Sequence, residues 1–297
     1  MSSCCLSGAI HEGSPTGRVD TLGGLQTYIA EPKTGSKEKS IIFISDIFGW
    51  EFPNTRLLAD EYAKEGFYVY LPDFHEGDSL HIDFLQNVEP PLKKQESLTV
   101  VEKAKNAAVV PATLGPWLLA HREAVSKPLI DGFVNTVRNT PGTNKIGAIG
   151  FCWGGRYAIL QTHGQSKDGS GSDVGGVDAA VGAFFEPFSS SQVTATLTLT
   201  SVPACHPSLV AIPGDFDPIT KPLSLAVGTK DSLLDMGSIG KIQDLLAKKT
   251  DIPHEVQIYD DQVHGFALRS DWSSEKDKKA MDDAQKQGLA WFSKHLA

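Results

Sequence analysis

The chain has 297 residues, 40% of them hydrophobic and 21% charged, a balance that supplies a core and excludes a wholly disordered polypeptide. A formal net charge of -9 and an isoelectric point near 5.5 argue against a nucleic-acid partner, because holding phosphates needs clustered Lys and Arg. No apolar run approaches the ~20 residues that span a bilayer, and Met1-Ser2-Ser3-Cys4-Cys5-Leu6 lacks a basic region followed by an apolar stretch, so the expected setting is cytoplasmic, with no membrane partner.

In chain order, residues 1–23 read as an N-terminal arm and 24–297 as one α/β domain. Cys4, Cys5 and His11 belong to that arm, which is either docked or frayed; no second Cys or His pair at finger spacing follows them, so no metal site is expected. Four cysteines in a chain of this length read as reduced thiols. Strands are expected at Thr27–Ala30, Ile41–Ser45 and Phe67–Leu71, with a helix near Asn54–Glu65. A helix near Thr113–Arg138 leads to a strand at Lys145–Ile149 and a helix at Gly154–His163. The polar Ser166–Asp173 insertion reads as a surface loop, followed by a strand at Ala179–Phe185. The chain closes with strands at Leu223–Val227 and Glu255–Tyr259 and helices at Ser238–Lys249 and Ser274–His295. Nearly all-apolar strands alternating with amphipathic helices predict a mostly parallel central sheet with helices on both faces.

Ligands of such sheets gather beyond the carboxyl ends of the strands, which selects the loops to inspect. One of them holds the strongest signal, Gly150-Phe151-Cys152-Trp153-Gly154-Gly155, in which a buried strand runs into a glycine-flanked nucleophile and then a helix. A buried structural role is the commoner fate of a free cysteine, but such a residue does not need glycine at both second neighbours. The helix N-terminus that follows favours a thiolate.

A nucleophile needs a base, and the base an orienting acid. Asp231 follows the Leu223–Val227 strand and His264 follows the last strand, giving the order Cys, Asp, His of the α/β-hydrolase fold. Asp235, Asp215, Asp217 and His254 are weaker candidates by position; Asp215 and Asp217 precede the strand and are expected at the surface. With this triad, Cys152 attacks an ester or lactone carbonyl, His264 handles the proton, Asp231 holds the imidazole tautomer, and water hydrolyses the thioester. The oxyanion donors of this arrangement are the backbone N–H groups of Trp153 and Ile47.

On the Cys152 elbow, Asp46-Ile47-Phe48-Gly49-Trp50, Asn54-Thr55-Arg56, Pro72-Asp73-Phe74 and His264-Gly265-Phe266, the sequence resembles the dienelactone hydrolase (carboxymethylenebutenolidase) family, in particular its eukaryotic and fungal branch. The resemblance runs from about Gly24 to the C-terminus. It implies an eight-stranded α/β-hydrolase fold, no cofactor, and hydrolysis of an enol lactone; whether the protein is a monomer or homodimer stays open. Bacterial members carry a glutamate that helps to activate the cysteine where this chain has Asp46, one methylene shorter, so a partly protected thiol at rest is expected. They also bind a substrate carboxylate through an arginine at the position of Leu268; Arg269, next to it, either reaches an anionic group or is an exposed helix-leading charge. Trp50, His75 and Trp153 either shape the substrate pocket or pack. Two other functions stay open: a related thioesterase or polyketide-product hydrolase, and a non-catalytic ligand-binding protein on the same scaffold.

Overall fold

The computed structural model describes residues 9–87, 99, 109, 112–163, 166–167, 173–174, 179–183, 210–231 and 233–297. Within these, the apolar runs of the sequence become the strands of one sheet. In chain order the elements are β1 (Arg18–Leu22), β2 (Leu25–Ala30), β3 (Lys39–Ile44), α1 (Pro53–Lys64), β4 (Tyr68–Pro72) and α2 (Ile82–Asn87). Then come α3 (112–120), α4 (Glu123–Arg138), β5 (Lys145–Phe151), α5 (Trp153–Leu160), β6 (Ser166–Lys167), β7 (Asp173–Val174) and β8 (Ala179–Ala183). The remainder holds β9 (Leu223–Gly228), α6 (Met236–Ala247), β10 (His254–Tyr259), α7 (Phe266–Arg269) and α8 (Glu275–His295).

The eight-stranded sheet runs β1-β2-β4-β3-β5-β8-β9-β10. The β1–β2 and β2–β4 pairings are antiparallel and the others parallel, which is the mostly parallel α/β architecture expected. Strands β4 and β9 are buried along their whole length, as befits strands covered on both faces, whereas the edge strand β10 alternates in exposure. Helices α1 and α8 are fixed to the sheet by aromatic contacts: Phe43 of β3 meets Tyr62 edge-on, with ring centroids 5.3 Å apart, and Tyr62 meets Phe292 of α8 at 6.2 Å.

Three differences from the sequence reading have local causes. The exposed Arg-Val-Asp-Thr-Leu of β1 carries no apolar run, so only its pairing with β2 makes it a strand; it draws part of the 1–23 arm into the sheet. The helix expected over Thr113–Arg138 breaks at His121-Arg122, where Arg122 takes an extended conformation (φ -67°, ψ 161°) as the N-cap of α4. The insertion expected as a surface loop contains a two-stranded ribbon, Lys167 pairing with Asp173. Phe184 and Phe185, the end of the strand expected at Ala179–Phe185, lie outside the described residues, as do Cys4 and Cys5. No helix among the described residues is long and apolar enough to cross a membrane.

Strand register positions the loops that matter. Ile44 of β3 lies beside Gly150 of β5, so the turn after β3 and the elbow after β5 are neighbours. Gly228 of β9 lies beside Tyr259 of β10, which brings the loops carrying Asp231 and His264 together.

Candidate active site

Cys152 caps the N-terminus of α5 with φ 57° and ψ -120°, a conformation that costs a non-glycine residue ~1–3 kcal/mol and lifts its side chain off the strand-to-helix turn. Only glycine suits both second neighbours. A Cβ on Gly150 would collide with the Gly154 carbonyl, and one on Gly154 would meet the Ile44 carbonyl and lie 2.6 Å from the Ser45 carbonyl oxygen. The strained turn therefore presses directly on the end of β3.

The Cys152 side chain lies in a small cavity with Asp46, Phe151, Asp231, Phe266 and Arg269 among its lining residues. It encloses about 20 Å³, room for one water molecule, so a lactone or ester enters only if part of the wall moves. His264, fully buried, holds its Nδ1 3.5 Å from Asp231 Oδ2. Asp231 Oδ1 also accepts the Leu233 N–H at 2.9 Å, fixing the carboxylate's orientation. The sequence-expected Cys152, Asp231, Asp46 and Arg269 thus share one cavity, and His264 is in contact with Asp231.

Burial pushes the Cys152 thiol up to about 12, and the nearby Asp46 carboxylate adds to this. Arg269 and hydrogen bonds from the Trp153 and Ile47 backbone N–H groups act in the opposite direction. The thiol is therefore protonated at neutral pH, and the thiolate-favouring helix N-terminus read from the sequence is outweighed by desolvation. The two amides expected to receive an oxyanion converge on the sulfur in this resting arrangement.

Asp46 is itself buried. Desolvation raises its pKa, against the pull of Arg269 and the N–H of Phe48, which donates to Oδ1 at 2.9 Å. Arg269 Nε is 3.3 Å from Asp46 Oδ2, both side chains are about 1% exposed, and the guanidinium lies over the Phe48 ring at 5.2 Å. Of the two roles open to Arg269 in the sequence, the exposed helix-leading charge is excluded by this burial.

Trp50 and His75 are not among the residues lining this cavity. Trp50 lies under the Arg56 guanidinium at 4.6 Å, and Arg56 Nε donates to its carbonyl oxygen. His75 is enclosed by Trp117, His121 and Trp153, with centroids 5.0, 5.2 and 4.7 Å away, and burial lowers its pKa to about 3, so it stays neutral. Its Nδ1 meets Ser79 Oγ at 3.1 Å, and the nearby Leu80 N–H donates to the Ile47 carbonyl at 2.8 Å. Trp153 Nε1 donates to the His121 carbonyl at 3.2 Å, so this aromatic cluster braces the segments that carry both candidate oxyanion donors.

The acidic residues near the two loops have partners of their own. Asp235 caps α6 by accepting the Ser238 N–H at 2.7 Å, and exposed Asp261 pairs with Lys230. Asp215, expected at the surface, is instead buried and accepts from Arg156 at 2.7 and 3.1 Å, a correction that the sequence could not supply because its partner lies on α5. Beside the expected Arg269, the contribution of Gly265–Leu268 to the cavity wall was not anticipated, although the His264-Gly265-Phe266 motif pointed to the segment. Among the described residues, no group of three or more His, Cys, Asp or Glu side chains is placed to hold a metal ion.

Comparison with known proteins matches residues 25–296 to the model of the Dienelactone hydrolase family. Hydrolase pyvD of Aspergillus violaceofuscus is 27% identical over 296 residues, covering 99% of this chain and 97% of that protein. The carboxymethylenebutenolidase homolog of Xenopus tropicalis is 21% identical over 296 residues, covering 99% and 96%. Among solved structures, one assigned to a dienelactone hydrolase from Klebsiella pneumoniae superposes with a TM-score of 0.60 at 18% identity, covering 91% of this chain and 92% of the other.

Proposed function

Because the chain belongs to the dienelactone hydrolase family, we propose that it is a cysteine-dependent carboxylic ester hydrolase acting on small lactones or activated esters, with Cys152, His264 and Asp231 as its triad. The observation that carries this reading is the strained Cys152 elbow, which shares a cavity with the Asp231 end of a buried Asp231–His264 pair and faces two convergent backbone donors. A 3.5 Å contact is long for the acid–base pair, as is usual before substrate tightens a site.

In the proposed reaction the substrate carbonyl oxygen takes the Ile47 and Trp153 N–H groups from the sulfur. Losing those donors, the sulfur turns toward His264, which accepts the thiol proton as the sulfur bonds to the carbonyl carbon. The carbonyl π electrons move to oxygen, where the two amides stabilise the charge. Collapse expels the enolate or alkoxide, which takes the proton from imidazolium. Water then attacks the thioester with His264 again as base, releasing the carboxylic acid and restoring the thiol. Asp231 holds the imidazole tautomer throughout and stabilises its charged form. No cofactor enters these steps, and the reading places the enzyme in the cytoplasm as a monomer or homodimer.

The test is a panel of an enol lactone, p-nitrophenyl acetate and an acyl thioester. Hydrolysis of the lactone and the p-nitrophenyl ester above the buffer rate is expected. If only the thioester turns over, a thioesterase is the better description, and if none does, the chain is a binding protein on a hydrolase scaffold.

Asp46 acts as a brake on the resting thiol. Asp46→Asn, which removes the negative charge beside the sulfur, is expected to speed iodoacetamide alkylation of Cys152 at pH 8 by ~10-fold, corresponding to about one pKa unit. In both proteins the rate rises with pH, in the wild type up to the thiol pKa of about 12, because thiolate is the reacting species. Equal rates would remove Asp46 from the control of Cys152.

A further inference from the structure

Helix α7 has four residues, too few to hold itself in place, yet with Gly265 it supplies much of the cavity wall and positions Arg269. Its support comes from the other end of the chain. Ala9 N–H donates to the Arg269 carbonyl at 2.9 Å. Asn54, at the start of α1, donates from Nδ2 to both the Ala9 and the Leu268 carbonyls at 2.9 Å, and its Oδ1 accepts the His11 N–H at 2.9 Å. His11 Nε2 meets the Ser270 carbonyl at 2.9 Å, and the His11 ring stacks on Trp272 with centroids 4.2 Å apart. Because that carbonyl can only accept, Nε2 carries the proton. The backbone at the end of α7 is therefore fastened to residues 9–11, directly at Arg269 and Ser270 and through one buried asparagine at Leu268.

We propose that Asn54 and His11 are positioning residues, a latch that clamps the N-terminal arm to the α7 backbone and thereby keeps the Arg269 guanidinium against Asp46 in the wall of the Cys152 cavity. The Arg269 side chain leaves the backbone at the point where Ala9 and Asn54 hold it, so releasing the latch lets its positive charge drift from the sulfur. The nucleophile then sees Asp46 with less compensation and ionises less readily. The consequence for turnover rests on the hydrolase reading; the consequence for the thiol does not.

The test uses full-length protein. Asn54→Ala removes the bridging amide, and His11→Phe keeps a ring to stack on Trp272 while deleting the Nε2–H donor. Iodoacetamide alkylation at pH 8 is followed on the Cys152 peptide, with the peptides carrying Cys4, Cys5 and Cys205 as internal references. Asn54→Ala is expected to slow Cys152 alkylation ~3- to 10-fold, a shift of ~0.5–1 pKa unit, and His11→Phe to slow it less. His11→Gln, which keeps an N–H donor, recovers the wild-type rate. With p-nitrophenyl acetate, kcat falls in proportion and KM changes less than kcat. Alkylation that is unchanged or faster overturns the latch, and faster is what mere loosening gives, because an opened cavity exposes the sulfur. If Asn54→Ala does not fold, His11→Phe decides the same question. If wild-type protein hydrolyses no ester, the hydrolase reading fails while the alkylation rates still judge the latch.

Discussion

Cys152→Ala is expected to lower ester hydrolysis by at least ~10⁴-fold while leaving the fold intact. Loss of this size follows if the sulfur forms the acyl intermediate, because the remaining residues then offer only binding and oxyanion stabilisation to attack by water. Unfolding is not its cause. Alanine meets the φ of 57° at about the same cost as cysteine, and the substitution removes one buried sulfur from a cavity already able to hold a water. A thermal transition within a few degrees of wild type, measured beside the activity, separates chemistry from stability. Cys152→Ser is expected to retain little activity, since a hydroxyl is harder to ionise than a thiol and His264 must then remove a less acidic proton.

Gly154→Ala is the second substitution with a large expected effect, and here stability itself fails. The added methyl has no room, because it would enter the Ile44 carbonyl and approach the Ser45 carbonyl oxygen at 2.6 Å, and both are backbone at the end of buried β3. Backbone at a sheet centre cannot turn aside as a side chain can, so α5 must withdraw from β3 and carry the Cys152 turn with it. A loss of ~3 kcal/mol or more is expected, which for a domain of this size lowers the melting temperature by roughly 10 °C. Gly240→Ala on α6 serves as the comparison, because a Cβ there would meet nothing within 4 Å. A melting temperature for Gly154→Ala equal to wild type would show that the elbow does not press on β3 as described.

The parts legible in the sequence were those with local signatures. Strand β5 is an apolar run ending in glycine-flanked Cys152, and β9 and β10 are followed by Asp231 and His264, so strand ends, elbow and loop order needed no knowledge of distant contacts. What escaped depends on partners far away in the chain. Strand β1 exists through β2, the burial of Arg269 follows from Asp46, and Asp215 is buried because Arg156 of α5 meets its charge. The packing of His75 among Trp117, His121 and Trp153 was likewise not legible, because those rings come together only through the break at His121-Arg122 and the start of α5. The arm's grip on α7 is the extreme case, joining His11 to Ser270.

These placements also bear on the resting state of Cys152, on which the helix N-terminus and Asp46 act in opposite directions. The helix N-terminus behind Cys152 favours a thiolate, but its effect falls short of the desolvation of a residue that is 3% exposed and stands near a carboxylate. A nucleophile held neutral until a carbonyl oxygen occupies its amide donors reacts with substrate in preference to stray electrophiles. The slow alkylation expected of wild-type protein, and its acceleration in Asp46→Asn, follow from the same balance.

The most direct test of the proposed chemistry is to mix the protein with p-nitrophenyl acetate, quench in acid within the first turnovers, and locate the acetyl group by peptide mass. An acetyl thioester on the peptide carrying Cys152 is the predicted result, accumulating further in His264→Gln if deacylation is the slower step and absent in Cys152→Ala. Turnover with no acyl group on Cys152, or with the acyl group on another side chain and undiminished in Cys152→Ala, would contradict the assignment of Cys152 as the nucleophile.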